Sequence, residues 1–241
     1  MKPVKRRWQV WPPIVIARYW LHQSNRYLNP AELLHRWALE SAVFVIIFYW
    51  LSASQSWGVA TFISFLISHT ASAVFNGHIW AMLVHDLWWV SLYQRRQPFF
   101  DYIDRMRLRL ERKDPQYLAG AVFFGSLARG EFRTTSDMDI RFIAQDGFWN
   151  AFRVAHLVFL ERLYALFAGF PIDIYMFQSE KEVHKKMDVT NESPVTIYTY
   201  GEKLSKVLPL IGEFTEFRAV FLSGSEPDRV DDLRNARSHV I

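Results

Sequence analysis

The 241-residue chain has no cysteine. That excludes a disulfide, a thiolate nucleophile and a thiolate-ligated metal, and it fits an active domain in a reducing compartment. Internal repeats and low-complexity tracts are absent as well. The amino-terminal stretch lacks the unbroken apolar run of a signal peptide, because Pro12, Pro13 and Arg18 interrupt it after Lys2, Lys5, Arg6 and Arg7. Charge is missing from two stretches, residues 41–54 and 57–75, separated only by Gln55 and Ser56. Against these absences stand an abundance of Trp, Tyr and Phe, 17% in all and crowded into the first hundred residues, and a formal charge of +4 with a pI near 9.3. Such a mild basic excess suits an anionic membrane face, a nucleotide or a nucleic acid without choosing among them.

Residues 1–29 mix Trp8, Trp11, Tyr19, Trp20 and Tyr27 with Arg7, Arg18 and Arg26. They read as a segment lying at a membrane interface or, alternatively, a disordered arm that packs on the domain. Asn29-Pro30-Ala31-Glu32 is a helix start, with a capping side chain, proline at the first helical position and an acid near the positive end of the dipole. The two uncharged runs then predict a tight helical hairpin. The second is about 28 Å long as a helix, close to a hydrocarbon core; the first reaches that only if residues 37–40 join it. We expect a transmembrane hairpin over about 37–54 and 57–75, with a re-entrant hairpin or a buried soluble pair as the competing readings. Arginines and lysines flank the hairpin on both sides and are missing from its turn, which places both termini in the cytoplasm. Residues 78–93 are aromatic but carry His85 and Asp86 and predict an interfacial helix. His69, His78, His85 and Asp86 lack convincing ligand spacing; helix-end and interfacial histidines explain them more simply than a metal or proton site. Residues 1–97 thus form the anchoring part and 98–241 the active domain.

That domain opens with a helical period in Phe99, Ile103, Met106 and Leu110, with Arg105, Arg109 and Arg112 turned to a solvated or lipid-facing surface. Residues 117–124 are β-prone and run into Gly125-Ser126. Glycine lets a backbone approach a phosphate closely, and Ser126 can cap the following short helix, whose amides complete an anion site. Asp137-Met138-Asp139 follows. In a strand, residues two apart share a face, so both acids project together while Met138 and Ile140 pack behind. Parallel carboxylates on one face call for a cation, and magnesium takes a few carboxylates plus phosphate oxygens. A helix over 147–169 and a strand over 170–177 bring a third acid, Asp173. Beyond it, residues 179–187 suggest a charged helix and residues 193–201 a further strand. Lys203 and Lys206 could reach a triphosphate, although ordinary surface lysines are the simpler reading. The tail from Gly224 is charged.

The string Gly125-Ser126-x-Ala128-Arg129-Gly130-x(5)-Ser136-Asp137-x-Asp139, with Asp173 later, resembles the DNA polymerase β-like nucleotidyltransferase superfamily, most closely its minimal nucleotidyltransferase branch. The resemblance covers about residues 117–178. It implies an α+β fold with a small mixed sheet, here preceded by an α-helical membrane hairpin. It implies two Mg²⁺ ions, or Mn²⁺, held by Asp137, Asp139 and Asp173, with Asp173 also helping to deprotonate an acceptor hydroxyl. It further implies a nucleoside triphosphate, ATP by default, whose β- and γ-phosphates rest on Gly125 and Ser126 and whose charge Arg129 and Arg133 could help neutralise; a plain surface role for those arginines stays open. Arg141 departs from the pattern, where the small members usually carry an aliphatic residue.

The expected activity is Mg²⁺-dependent transfer of a nucleoside monophosphate to a hydroxyl of a membrane-proximal acceptor: a lipid-linked sugar or polysaccharide intermediate, or a protein. The competing class is a membrane-bound nucleotide sensor or scaffold without turnover. Membrane lipid and the triphosphate are expected partners. Nucleic acid is not, since the chain has no room for separate DNA-gripping domains.

Overall fold

A computed structural model describes residues 11–23, 28–76, 79, 82–83, 97–128, 138–179, 181–183, 194–208 and 213–223. Helix α1 (Pro12–His22) begins on the two prolines, whose fixed φ and missing N–H cost nothing in a first turn. The same residues that interrupt a signal sequence therefore start a helix. α1 does not stand free: Trp20 Nε1 donates to Thr70 Oγ1 at 3.0 Å, Gln23 Nε2 donates to the His69 carbonyl at 3.0 Å, and Ser72 Oγ donates to Gln23 Oε1 at 3.0 Å. Residues 12–22 are thus an ordered helix set against α3, and not the disordered arm that is one of the two readings of this segment.

Helix α2 (Pro30–Ser52) starts as expected, with Asn29 accepting from the Ala31 amide at 3.0 Å and Pro30 in the first turn. Helix α3 (Trp57–Asn76) folds back against it. The buried row on α3 is Ala60, Ser64, Ser68 and Ser72, four residues apart, which is one ridge of small side chains that lets two backbones approach closely. The opposite faces carry bulk: Tyr49 is 82% exposed and Trp57 77%, with Trp50 and Phe62 similarly bare. Among the described residues one helix, Trp57–Phe75, is long and apolar enough to cross a membrane. α2 falls short of the second span expected over about 37–54. Its first half carries Glu32, His35, Arg36 and Glu40, and the buried members of that set, Glu32, His35 and Arg36, are sunk into protein. The interfacial helix expected over 78–93 lies almost wholly outside the described residues; of those that are described, Met82 is buried with Val15 of α1.

The remaining elements build the α+β part. Helix α4 (Gln97–Lys113) buries Phe99, Phe100, Ile103, Met106 and Leu110, the expected stripe. Strand β1 (Leu118–Phe124) leads into the four-residue helix α5 (Gly125–Ala128). Strand β2 (Met138–Ala144), helix α6 (Phe148–Ala168) and strand β3 (Ile172–Phe177) form a parallel crossover unit. Strand β4 (Val195–Thr199) and helices α7 (Lys203–Val207) and α8 (Phe214–Ser223) follow. The sheet order is β3-β2-β1-β4, with β1 antiparallel to both neighbours and β2 parallel to β3, a mixed sheet as the resemblance implies.

One sheet face packs Phe123, Ile140, Phe142, Ile174 and Met176 against α4, α6 and α8. The other packs Val122, Phe124, Ile143 and Phe177 under α7.

Helix α6 is held from two sides by ions. Arg109 of α4 grips the fully buried Glu161 through two hydrogen bonds, 3.1 and 2.5 Å, with its guanidinium over Tyr164. Arg162 pairs with Glu32 of α2 at 2.7 Å and donates to the Ile174 carbonyl of β3 at 2.5 Å. Arg109 is thus a half-buried tie to a buried acid, whereas the helical period alone placed it on an open surface. Above Arg162, His35 Nε2 and His156 Nδ1 share a hydrogen bond at 3.1 Å, with His35 ringed by Phe152 and Phe159. Burial pushes the His35 imidazole down to about 4, helped by His156 and Arg162.

Candidate active site

The sheet brings together residues far apart in sequence by register. Phe124, the last residue of β1, pairs with Asp139, and Asp139 pairs with Asp173 across the parallel β2–β3 step. Neighbouring strands lie about 4.8 Å apart, so the two carboxylates occupy one rung. Alternation does the rest: Met138, Ile140, Ile172 and Ile174 turn into the core and leave the acids on the opposite face. Their side chains are 23% and 19% exposed, sheltered but open to a ligand.

Gly125 closes this rung. Its φ is +78°, a conformation that L side chains rarely adopt. A Cβ built on it would overlap the Asp139 carboxylate, lying against Oδ2 and 2.9 Å from Cγ. Two requirements therefore converge on glycine: the turn from strand to helix, and the space the acid occupies. The backbone passes within contact of a carboxylate that itself faces a second one.

The next rung is Arg141 opposite Tyr175. Arg141 Nη2 lies 3.0 Å from Asp139 Oδ1 and 3.7 Å from Asp173 Oδ2. Its Nη1 donates to the Ile140 carbonyl at 3.0 Å and the Asp173 carbonyl at 2.9 Å, and its Cζ sits 5.1 Å from the centre of the Tyr175 ring. A guanidinium thus lies between two carboxylates that would otherwise repel each other. The sequence marks Arg141 only as a departure from a pattern. The two-residue period of β2 puts Arg141 on the face of Asp139, and that signal was available in the sequence.

The other expected site residues divide by location. Asp137, Arg129 and Arg133 lie outside the described residues. Ser126 lies within α5, with its side chain outside the description. Among the described residues no cluster of three metal-binding side chains occurs. The pair that is described suits a hard divalent cation in kind: carboxylate oxygens, partly sheltered, beside a glycine that leaves their approach clear.

Lys203 stands elsewhere. It donates to the Ala144 carbonyl at 2.8 Å, to Asp146 at 2.7 Å and to the Gln178 carbonyl at 3.0 Å, tying the far ends of β2 and β3. Five residues along the strand from Asp139, that is about 17 Å away. Lys206 pairs with Glu202 on the surface. His69 bonds to Glu40 at 2.8 Å and to the Trp20 carbonyl at 2.9 Å, as a link between helices; His78, His85 and Asp86 lie outside the described residues.

Residues 103–196 match a family model described as a nucleotidyltransferase domain. The matched span runs from within α4 to the start of β4 and includes Gly125, Asp139, Arg141 and Asp173. It covers less than half of the chain and leaves α1 to α3 outside. No curated protein and no solved structure matches the chain.

Proposed function

We propose that the protein is a membrane-anchored nucleotidyltransferase. It moves a nucleoside monophosphate from a nucleoside triphosphate, ATP by default, to a hydroxyl of an acceptor near the membrane, either a lipid-linked sugar or polysaccharide intermediate or a protein. The observation that carries the reading is the Asp139–Asp173 rung closed by Gly125, inside a span that matches a nucleotidyltransferase domain.

In this reading Asp137, Asp139 and Asp173 hold two Mg²⁺ ions, which supply charge neutralisation for both the attacking and the leaving oxygen of an in-line displacement. Gly125 and Ser126 seat the β- and γ-phosphates, the glycine by admitting the backbone to close range and the serine with its hydroxyl and amide. Asp173 accepts the acceptor's proton as its oxygen attacks the α-phosphorus; the bond to the bridging oxygen breaks and pyrophosphate leaves. Arg129 neutralises phosphate charge. Residues 1–97 anchor and residues 98–241 act; the α2–α3 hairpin enters the membrane and returns to the same side, spanning or re-entrant, which leaves both termini in the cytoplasm. Support for the anchor is the span-length helix Trp57–Phe75 and the bare aromatic faces of α2 and α3, which would be costly in water.

The test is purified full-length chain in detergent with MgCl₂ and labelled triphosphates, with and without membrane extract, followed by pyrophosphate release. Turnover lost in both Asp139→Ala and Asp173→Ala is the expected result; turnover that survives either one overturns the assignment. A second reading, a sensor that binds triphosphate without turnover, is favoured by the guanidinium already lodged against the two acids. Metal-dependent nucleotide binding with no pyrophosphate from any extract would select it.

A further inference from the structure

We propose that Arg141 is a built-in counter-ion that occupies the cation position between Asp139 and Asp173 and keeps free divalent metal out until a metal-bound triphosphate displaces it. The proposal rests on the metal assignment above and adds to it a residue that controls entry to the site.

The geometry is specific. Arg141 shares the rung-bearing face of β2 with Asp139 and is anchored by one amino group of its fork. Nη1 is fixed on two main-chain carbonyls, one of them that of Asp173 itself. Nη2 is left to face the carboxylates, at 3.0 Å from one and 3.7 Å from the other. Tyr175, the register partner, lies beneath the guanidinium and limits its swing to the side. A planar cation held this way is pre-organised against two acids, which a lysine's point charge would not be.

A divalent ion arriving between the acids would meet this fixed positive charge within a few ångströms. Cations at that spacing repel strongly in a sheltered site. Free metal is therefore disfavoured. A metal carried on a triphosphate is not, because the polyphosphate brings negative charge that the displaced guanidinium can pair with. Arg141 thus couples metal entry to nucleotide entry. It is a positioning residue, acting through Asp139 and Asp173.

The test uses full-length protein in detergent and MnCl₂ as the probe, with no nucleotide present. Manganese binding is followed by titration calorimetry, and melting temperature is recorded with and without the metal, for wild type, Arg141→Gln and Arg141→Gln with Asp139→Ala. Arg141→Gln is expected to bind Mn²⁺ at least tenfold more tightly than wild type, to melt lower than wild type in metal-free buffer, and to regain the loss when Mn²⁺ is added. The added Asp139→Ala removes both the gain in affinity and the rescue. Equal Mn²⁺ affinity in wild type and Arg141→Gln, with both folded, overturns the proposal; so does weaker binding in the variant. A residue that merely supported the fold would lower the melting temperature without raising metal affinity. These readouts do not depend on turnover, so a protein that transfers no nucleotide would still report on Arg141.

Discussion

Replacing Gly125 with alanine should cost stability in two separable ways, and the separation tests the geometry of the acid rung. At φ +78° any L residue carries backbone strain of about 1 kcal/mol. The added methyl also overlaps the Asp139 carboxylate. Forcing that side chain aside in a packed place costs a further ~2 kcal/mol. Together the loss is about 3 kcal/mol, and for a chain of this length each kcal/mol moves the melting temperature by roughly 2–4 °C. Gly125→Ala should therefore melt about 6–12 °C below wild type. In an Asp139→Ala background the obstructing carboxylate is gone and only the backbone strain remains, so the same substitution should cost about 2–4 °C. The loss of the Arg141 contact is shared by both proteins of the Asp139→Ala background and cancels from the difference between them. The measurement is tryptophan-fluorescence melting of the four proteins in one detergent buffer. Equal costs in the two backgrounds would mean that Asp139 does not lie against Gly125, and the rung as described would be wrong.

Arg109→Ala should destabilise the protein by about 3–5 kcal/mol, because it strands the fully buried Glu161; adding Glu161→Gln should recover part of the loss, as read in denaturant or thermal melts. Stability should fall with pH between about 6.5 and 4. The folded imidazole of His35 is held down to about 4, so in that window the unfolded chain takes up a proton that the folded chain refuses, and His35→Leu should shrink the difference in melting temperature between pH 7 and pH 5. Ser68→Leu on the α3 seam should wedge α2 from α3 and cost about 1–3 kcal/mol. Membrane fractions should retain the protein through high-salt and carbonate washes and release it only to detergent; release by salt alone would reject a spanning α3.

What could be read from the sequence was what is written locally. The Asn29-Pro30 start, the α4 stripe, the breaks at Gly147 and Gly169 and the apolar strand around Asp173 are each signalled within a few residues, and each lies where its pattern puts it. The partners were not legible, since a periodic pattern gives a face but not what it meets. Nothing near Asp139 says that its neighbour across the sheet is Asp173 rather than a residue one step along; pairing register does. Arg109 looks like a surface arginine until α6 presents Glu161 to it, and nothing around Arg162 names Glu32 of α2 as its partner. Lys203 has the charge for a phosphate but sits at the opposite end of the strands, which only the topology reveals. The foot of α2, ahead of the run expected as a span, shows the same thing: Glu32 meets Arg162 of α6, a partner its own neighbourhood does not announce.

The Glu32–Arg162 pair also decides how the chain can be cut. A fragment that begins at residue 98, the natural boundary on composition, would leave Arg162 buried without its acid, strip Ala31 from the main core and bare the side of α6 on which His35 rests. Such a fragment should be insoluble or short-lived for reasons unrelated to catalysis, and its inactivity would say nothing about the acids. A soluble version has to be made from the other end, by keeping the foot of α2 through about Glu40 and replacing only the bare outer turns of α2 and α3.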